Sequence, residues 1–198
     1  MHIARAESRW SALPSLLSAT RIVLGPLYVL MLEVSCELPL AVAVIAAVSD
    51  FVDGRLARRL GSTSRRGAVL DVVGDGVFVV CALAALAAVG LVSRLLPAAV
   101  LLALAGLAIA TLRGTRPAPG SDGVMPRRGP ADRAGHLAGV ANYAIVLAAS
   151  GALAGLLRAS WLLPVSVAVA CLNVAPVVLR ATLSRYDERR ALRARGRL

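Results

Sequence analysis

Residues 50–75 read DFVDGRLARRLGSTSRRGAVLDVVGD and join two apolar stretches of the chain through a short polar segment. Four aspartates lie in this sequence, Asp50, Asp53, Asp71 and Asp75. One carboxylate costs roughly 2.5 to 3.5 kcal/mol at the centre of a membrane-spanning helix, so such residues need partners. The first two aspartates are three residues apart and the last two are four apart, so on helices each pair shares a face. We therefore expect two helix ends that bring the four carboxylates together.

A cluster of four carboxylates predicts a metal site, because they cannot all stay ionised at close range without a compensating cation. One or two hard divalent ions would supply that charge, and Mg²⁺, Mn²⁺ and Ca²⁺ all prefer oxygen ligands. Of these we expect Mg²⁺ or Mn²⁺ as the cofactor, with two ions bound. Gly54 and Gly67 remove side-chain bulk beside the acids, where a ligand could approach the backbone. The structural alternative pairs the aspartates with the arginines of the same segment.

The composition is typical of an α-helical membrane protein. The 198 residues are 58% hydrophobic and only 4% aromatic, with a mean hydropathy of +0.76. We predict an all-α polytopic membrane protein with six transmembrane helices, each near the ~20 residues that cross a bilayer. The predicted spans are 14–34, 38–58, 67–91, 94–112, 137–157 and 161–181. The predicted domains are an amphipathic juxtamembrane segment (1–13), the six-helix domain (14–182) and a basic, helical cytoplasmic tail (183–198).

Arginines set the expected orientation of the chain. The net charge is +11, and all 22 basic residues are arginine. With the N-terminus in the cytoplasm, every arginine except Arg94 and Arg158 falls on the cytoplasmic side, which is a strong positive-inside signal. The arginines lie between apolar spans, which argues against nucleic acid as a partner. We expect an integral protein of a bacterial inner or plasma membrane, with both termini and the aspartates on the cytoplasmic side.

The spacing D-x-x-D-G-x-x-A-R-x8-G-x-x-x-D-x-x-x-D of residues 50–75 resembles the signature of the CDP-alcohol phosphotransferase (CDP-alcohol phosphatidyltransferase) family, with every fixed position present. The expected six helices, with the signature on the second and third, are similar to that family's architecture. A weaker family feature, P-N-x-x-T-x-x-R on the first helix, is matched in part. Pro14 and Arg21 are kept here, while Ser15 replaces Asn and Ser18 replaces Thr.

The resemblance implies a role for each matched residue. Asp50, Asp53 and Asp71 would bind metal, and Asp75 would lie near a second metal and act as the general base. Arg58 would contact the diphosphate of the CDP-activated lipid. The CDP-lipid site would comprise Asp50, Gly54, Ala57, Arg58 and Gly67.

The resemblance also implies a reaction, the transfer of a phosphatidyl group from CDP-diacylglycerol to an alcohol with release of CMP, by a homodimer among membrane lipids. We prefer glycerol 3-phosphate as the acceptor, giving phosphatidylglycerophosphate. Inositol phosphate, phosphatidylglycerol (a cardiolipin synthase) and serine stay open, and alternatives of another class are a metal-ion carrier and a non-catalytic membrane partner. Arg128 and Arg133 are the candidate acceptor-binding residues, because guanidinium groups suit phosphate oxygens.

Two polar residues lie inside the fifth apolar span, Asn142 and Tyr143. Polar side chains within membrane helices commonly form hydrogen bonds to neighbouring helices. We expect interhelical hydrogen bonds from both residues, with substrate contact as the alternative.

Overall fold

The structure, a computed structural model, describes residues 13–60, 65–112 and 130–195, with the side chains of 19–52, 72–109, 131 and 133–182. These residues form six α-helices and no strand, which confirms the predicted all-α fold. The helices are α1 (Leu13–Val34), α2 (Leu38–Leu60), α3 (Arg65–Ala88), α4 (Leu95–Leu112), α5 (Pro130–Leu153) and α6 (Leu162–Arg195), the last preceded by a single 3₁₀ turn, Ala159–Trp161.

The helices follow the predicted apolar spans closely, with two extensions. Helix α5 begins at Pro130, before the predicted span, because proline is favoured in the first turn of a helix, where its missing N–H is not needed. Helix α6 continues through Arg195, so the backbone of the predicted basic tail prolongs the last helix. Most of the predicted juxtamembrane segment, and residues 113–129 before Pro130, lie outside the described residues.

Helices α3 and α5 are each followed, two residues after their last residue, by a glycine with a positive φ, +80° at Gly90 and +74° at Gly155. After α3, the Leu91 N–H donates to the Leu86 carbonyl at 3.0 Å, and the Gly90 N–H to Ala87 at 3.2 Å. The Gly155 end repeats this pattern. These bonds satisfy the last carbonyls of each helix, and glycine takes the left-handed conformation without a steric cost. The chain can therefore reverse direction within a few residues after each of these helices.

Helices α2 and α3 carry the four aspartates. Helix α1 packs against both of these helices, and α5 contacts both as well. Helices α4 and α6 pack against each other and complete the bundle through α3 and α5. Helices α1 and α3 approach closely at Gly25 of α1, where an added Cβ would lie 3.2 Å from the Val77 carbonyl oxygen and 3.3 Å from the Phe78 Cα. A small residue lets the two backbones meet, as is common between membrane helices.

The bundle buries a compact apolar core and leaves many large apolar side chains on its outer faces. Among the described residues, two helical segments are long and apolar enough to cross a membrane, Arg133–Leu153 and Ala159–Thr182. Three shorter apolar segments are Leu38–Val52, Val72–Ala88 and Leu95–Ile109. An apolar exterior of this extent is typical of a surface that contacts lipid or other protein.

Candidate active site

A single buried arginine joins the two signature helices. Arg21 of α1 donates from Nη1 to Asp50 Oδ1 of α2 at 3.0 Å, and the same nitrogen contacts Asp75 Oδ1 of α3. Arg21 can reach both because α1 packs against α2 and α3. The two aspartates are 25 positions apart in the sequence, and their carboxylates meet at one positively charged atom.

Arg21, Asp50 and Asp75 form an ion-pair cluster, the Arg21 cluster, and their side chains differ sharply in burial. The Arg21 side chain is 0% exposed, whereas Asp50 is 44% exposed and Asp75 is 33% exposed. A buried guanidinium is strongly disfavoured unless it is paired, so the two carboxylates offset its desolvation. The carboxylates in turn keep access to the space around the bundle. This side of the cluster can receive a ligand, while Arg21 supports it from inside.

A second donor reaches Asp75 from another helix, α5. The Tyr143 hydroxyl of α5 donates to Asp75 Oδ1 at 3.1 Å. Its ring stacks on Phe78 of α3, with ring centroids 5.7 Å apart, and Phe78 meets Tyr28 of α1 edge to face at 6.1 Å. The Tyr28 hydroxyl lies 2.7 Å from Ser150 Oγ. We call Tyr28, Phe78 and Tyr143 the aromatic column.

The neighbouring residue on α5 forms the other predicted polar contact. Asn142 and Asn173 of α6 exchange two amide hydrogen bonds, at 3.0 and 2.8 Å, and both side chains are buried. Asn173 also donates to the Val169 carbonyl at 2.9 Å. The prediction that Asn142 and Tyr143 form interhelical hydrogen bonds is therefore confirmed for both residues.

The remaining signature positions fall on the same two helices. Asp53, Gly54, Ala57 and Arg58 follow Asp50 in the last turns of α2, and Gly67 and Asp71 precede Asp75 in α3. Because the backbone is helical at these positions, aspartates three or four residues apart share one face of their helix, as predicted. The side chains of these six residues lie outside those that the structure describes, so their roles stay predictions.

Of the two candidate acceptor residues, the structure describes only Arg133, which lies apart from the Arg21 cluster. Arg128 lies outside the described residues, and the exposed Arg133 is in the first turn of α5. Arg133 comes ten residues before Tyr143, which is about 15 Å along a helix axis. Arg180 of α6 reaches the same end of α5, because its Nη2 lies 4.0 Å from the position of a Cβ added to Gly135. A basic side chain of α6 thus lies against the first turns of α5.

The donor chemistry of the cluster suits a hard divalent cation. Asp50 and Asp75 offer only carboxylate oxygens, they come from separate helices, and both are drawn to one cationic nitrogen. Among the side chains that the structure describes, no group of three or more His, Cys, Asp or Glu residues could hold a metal. Asp50 and Asp75 would need Asp53 and Asp71 to complete the predicted set of four metal ligands.

Sequence reasoning missed two members of this cluster. Arg21 was counted only as a positive-inside residue, although it ends the partly matched first-helix run and lies inside a predicted span. An arginine within an apolar span commonly marks a functional site, and that signal could have found it. Tyr143 was expected to bond between helices, but nothing in the sequence identified Asp75 as its partner.

Comparison with known proteins agrees with this geometry. The sequence model of the family described as CDP-alcohol phosphatidyltransferase matches residues 11–172. Two similar proteins are named CDP-diacylglycerol--glycerol-3-phosphate 3-phosphatidyltransferase. The Aquifex aeolicus (strain VF5) protein is 39% identical over 66 residues, 33% of this chain and 37% of the relative. The Escherichia coli (strain K12) protein is 45% identical over 76 residues, 36% of this chain and 41% of the relative.

These matches to individual relatives are partial, and this chain spans about two fifths of their length. The family match is much longer and covers helices α1 to α5 and the first part of α6. It includes Arg21, Asp50, Asp75 and Tyr143, which the fold brings together. The chain therefore belongs to the CDP-alcohol phosphatidyltransferase family.

Proposed function

We propose that this protein transfers a phosphatidyl group from CDP-diacylglycerol to an alcohol acceptor and releases CMP. The observation that carries the proposal is the convergence of Asp50 and Asp75, from separate helices, on the buried Arg21. The family match and the relatives' names support it.

Asp75 is the proposed general base. The acceptor hydroxyl gives its proton to the Asp75 carboxylate while its oxygen forms a bond to the phosphorus that carries the lipid. The bond from that phosphorus to the CMP oxygen breaks, and CMP leaves. A well-placed general base contributes about 10²- to 10⁴-fold to such a reaction. Arg21 places a positive charge beside this carboxylate from inside the bundle.

The charged lipid substrate needs cationic partners. We assign Arg58 to its diphosphate, because a guanidinium fork matches phosphate oxygens. Asp50, Gly54, Ala57 and Gly67 complete the proposed CDP-lipid site. Asp50, Asp53, Asp71 and Asp75 would hold the divalent cations, Mg²⁺ or Mn²⁺ and two in number. When bound, these cations supply positive charge that neutralises the diphosphate and the departing CMP.

Glycerol 3-phosphate is the proposed acceptor. The names of the two relatives support this choice, as do Arg133 at the start of α5 and Arg180 near the middle of α6. Arg128 and Arg133 are the proposed phosphate contacts, and Arg180 is near enough to α5 to join them. Phosphatidylglycerol would bring a phosphate diester to the same arginines, whereas serine would bring no phosphate.

The proposed setting is a bacterial inner or plasma membrane crossed by all six helices. The apolar outer faces and the two long apolar segments support this topology. The arginine distribution favours cytoplasmic termini and a cytoplasmic site. We also propose the domain division 1–13, 14–182 and 183–198, and a homodimer as the working unit.

The direct test is CMP release from CDP-diacylglycerol by purified protein with Mg²⁺. Glycerol 3-phosphate, inositol phosphate, serine and phosphatidylglycerol would be supplied separately, with EDTA as the metal control. We expect metal-dependent CMP release with glycerol 3-phosphate and identification of the lipid product by mass. Release with another acceptor would retain the reaction class and replace the acceptor. No release with any of them, from folded protein, would contradict the proposal.

A further inference from the structure

The aromatic column connects the middle of the bundle to the proposed base. Phe78 lies three residues after Asp75 on α3, one turn away and on the same side of the helix. Its ring is fully buried between the rings of Tyr28 and Tyr143. The stacking holds the Tyr143 ring in a fixed position, and its hydroxyl then reaches Asp75 Oδ1.

The two tyrosines of the column carry the same hydroxyl group with different partners. The Tyr28 hydroxyl contacts Ser150, which also donates to the Val146 carbonyl at 2.7 Å, and this contact lies wholly inside the bundle. The Tyr143 hydroxyl instead bonds to a carboxylate that is 33% exposed and also contacts Arg21. A hydrogen bond to a charged group is stronger than one between neutral groups, and it fixes the orientation of that group.

We propose that Tyr143 is a positioning residue, whose hydroxyl fixes the orientation of the Asp75 carboxylate for proton transfer and for cation binding. Arg21 and Tyr143 reach the same oxygen, Oδ1, from α1 and from α5. Donors on two sides of one oxygen restrict rotation about the Cβ–Cγ bond of Asp75. The Asn142–Asn173 bonds, one residue along α5, fix this helix against α6 and support the same placement. The part concerning proton transfer rests on the proposed function.

The test compares Tyr143→Phe with Tyr28→Phe. Each substitution removes one hydroxyl group and keeps the aromatic ring that carried it, so all three rings of the column remain. Tyr28→Phe is the matched control, because Ser150 keeps its bond to Val146 and Asp75 loses nothing. Mn²⁺ binding to each purified protein would be measured by electron paramagnetic resonance of the free ion. Thermal unfolding, and kcat and KM for CMP release, would be measured in parallel.

We expect Tyr143→Phe to lower kcat by about tenfold, the lower end of the loss for a hydrogen bond to a charged group, with KM changed less than twofold. Mn²⁺ affinity should fall by about tenfold, as for other residues that orient metal ligands. Tyr28→Phe should change all three values less than twofold. Equal effects of the two substitutions, or none from Tyr143→Phe, would overturn the inference. If wild type released no CMP, the proposed function would fail, and a selective loss of Mn²⁺ affinity in Tyr143→Phe would still support the positioning role.

Discussion

Replacing Arg21 with glutamine would test the central ion-pair cluster. The substitution removes the buried cation that contacts both carboxylates, and leaves Asp50 and Asp75 close together without it. At the observed 3.0 Å separation from Asp50, the attraction is about 5 kcal/mol for an effective dielectric constant of about 20. Water around the exposed faces of the two aspartates weakens this interaction, and the buried guanidinium no longer has to be desolvated. We therefore expect a net loss of about 2 kcal/mol in unfolding free energy.

That loss corresponds to a fall in Tm of about 4 to 8 °C for a protein of this size. The assay is thermal unfolding of purified protein in EDTA, with two matched variants. Arg21→Lys keeps the charge and should lose less, while Arg133→Gln removes an exposed arginine and should leave Tm within about 1 °C. Added Mg²⁺ should raise Tm more in Arg21→Gln than in wild type, because the cation no longer meets a neighbouring positive charge.

Two results would refute this reasoning. An unchanged Tm for Arg21→Gln in EDTA would mean that the cluster contributes nothing to folding. An equal fall for Arg133→Gln would mean that loss of any arginine has the same effect, whatever its position.

Two further predictions concern packing and buried polar groups. Gly25→Ala should lower the free energy of unfolding by about 1 to 3 kcal/mol, because the new Cβ would meet the backbone of α3. Gly139→Ala should raise the free energy of unfolding by about 0.5 kcal/mol, because its new Cβ would have no neighbouring atom within 4 Å. Thermal unfolding would check both. Asn142→Leu should cost about 1 to 2 kcal/mol because it leaves the Asn173 amide buried with fewer partners, and adding Asn173→Leu should recover most of that loss in the same assay. A cost from Gly139→Ala equal to that of Gly25→Ala, or additive losses in the Leu double variant, would contradict these expectations.

The helices could be predicted from the sequence because each apolar span is long and bounded by polar or glycine-rich segments. The ends of α3 and α5 follow from Gly90 and Gly155, each two residues beyond the last helical residue. Helix α5 begins before the predicted apolar span 137–157, because the polar residues after Pro130 lower the hydropathy without breaking the helix. Hydropathy reports whether side chains prefer an apolar environment. It does not show where a helix with a polar first turn begins.

The site was only partly predictable for a related reason. Spacing along one helix shows which residues share a face, so Asp50 could be grouped with Asp53 and Asp71 with Asp75. Contact between helices depends on packing angles and close approaches, such as the one at Gly25, that spacing does not encode. For that reason neither the contact of Arg21 with two aspartates nor the bond from Tyr143 to Asp75 could be derived from the pattern.

The most direct test of the proposed function is Mg²⁺-dependent CMP release by wild type, Asp75→Asn and Glu37→Gln. Each variant loses one carboxylate, but Glu37 is exposed and lies just before α2, at the opposite end of that helix from its signature residues. We predict a loss of at least about 100-fold in kcat for Asp75→Asn and no more than a twofold change for Glu37→Gln. Full activity in Asp75→Asn, from folded protein that still requires Mg²⁺, would contradict the assignment of Asp75 as the base.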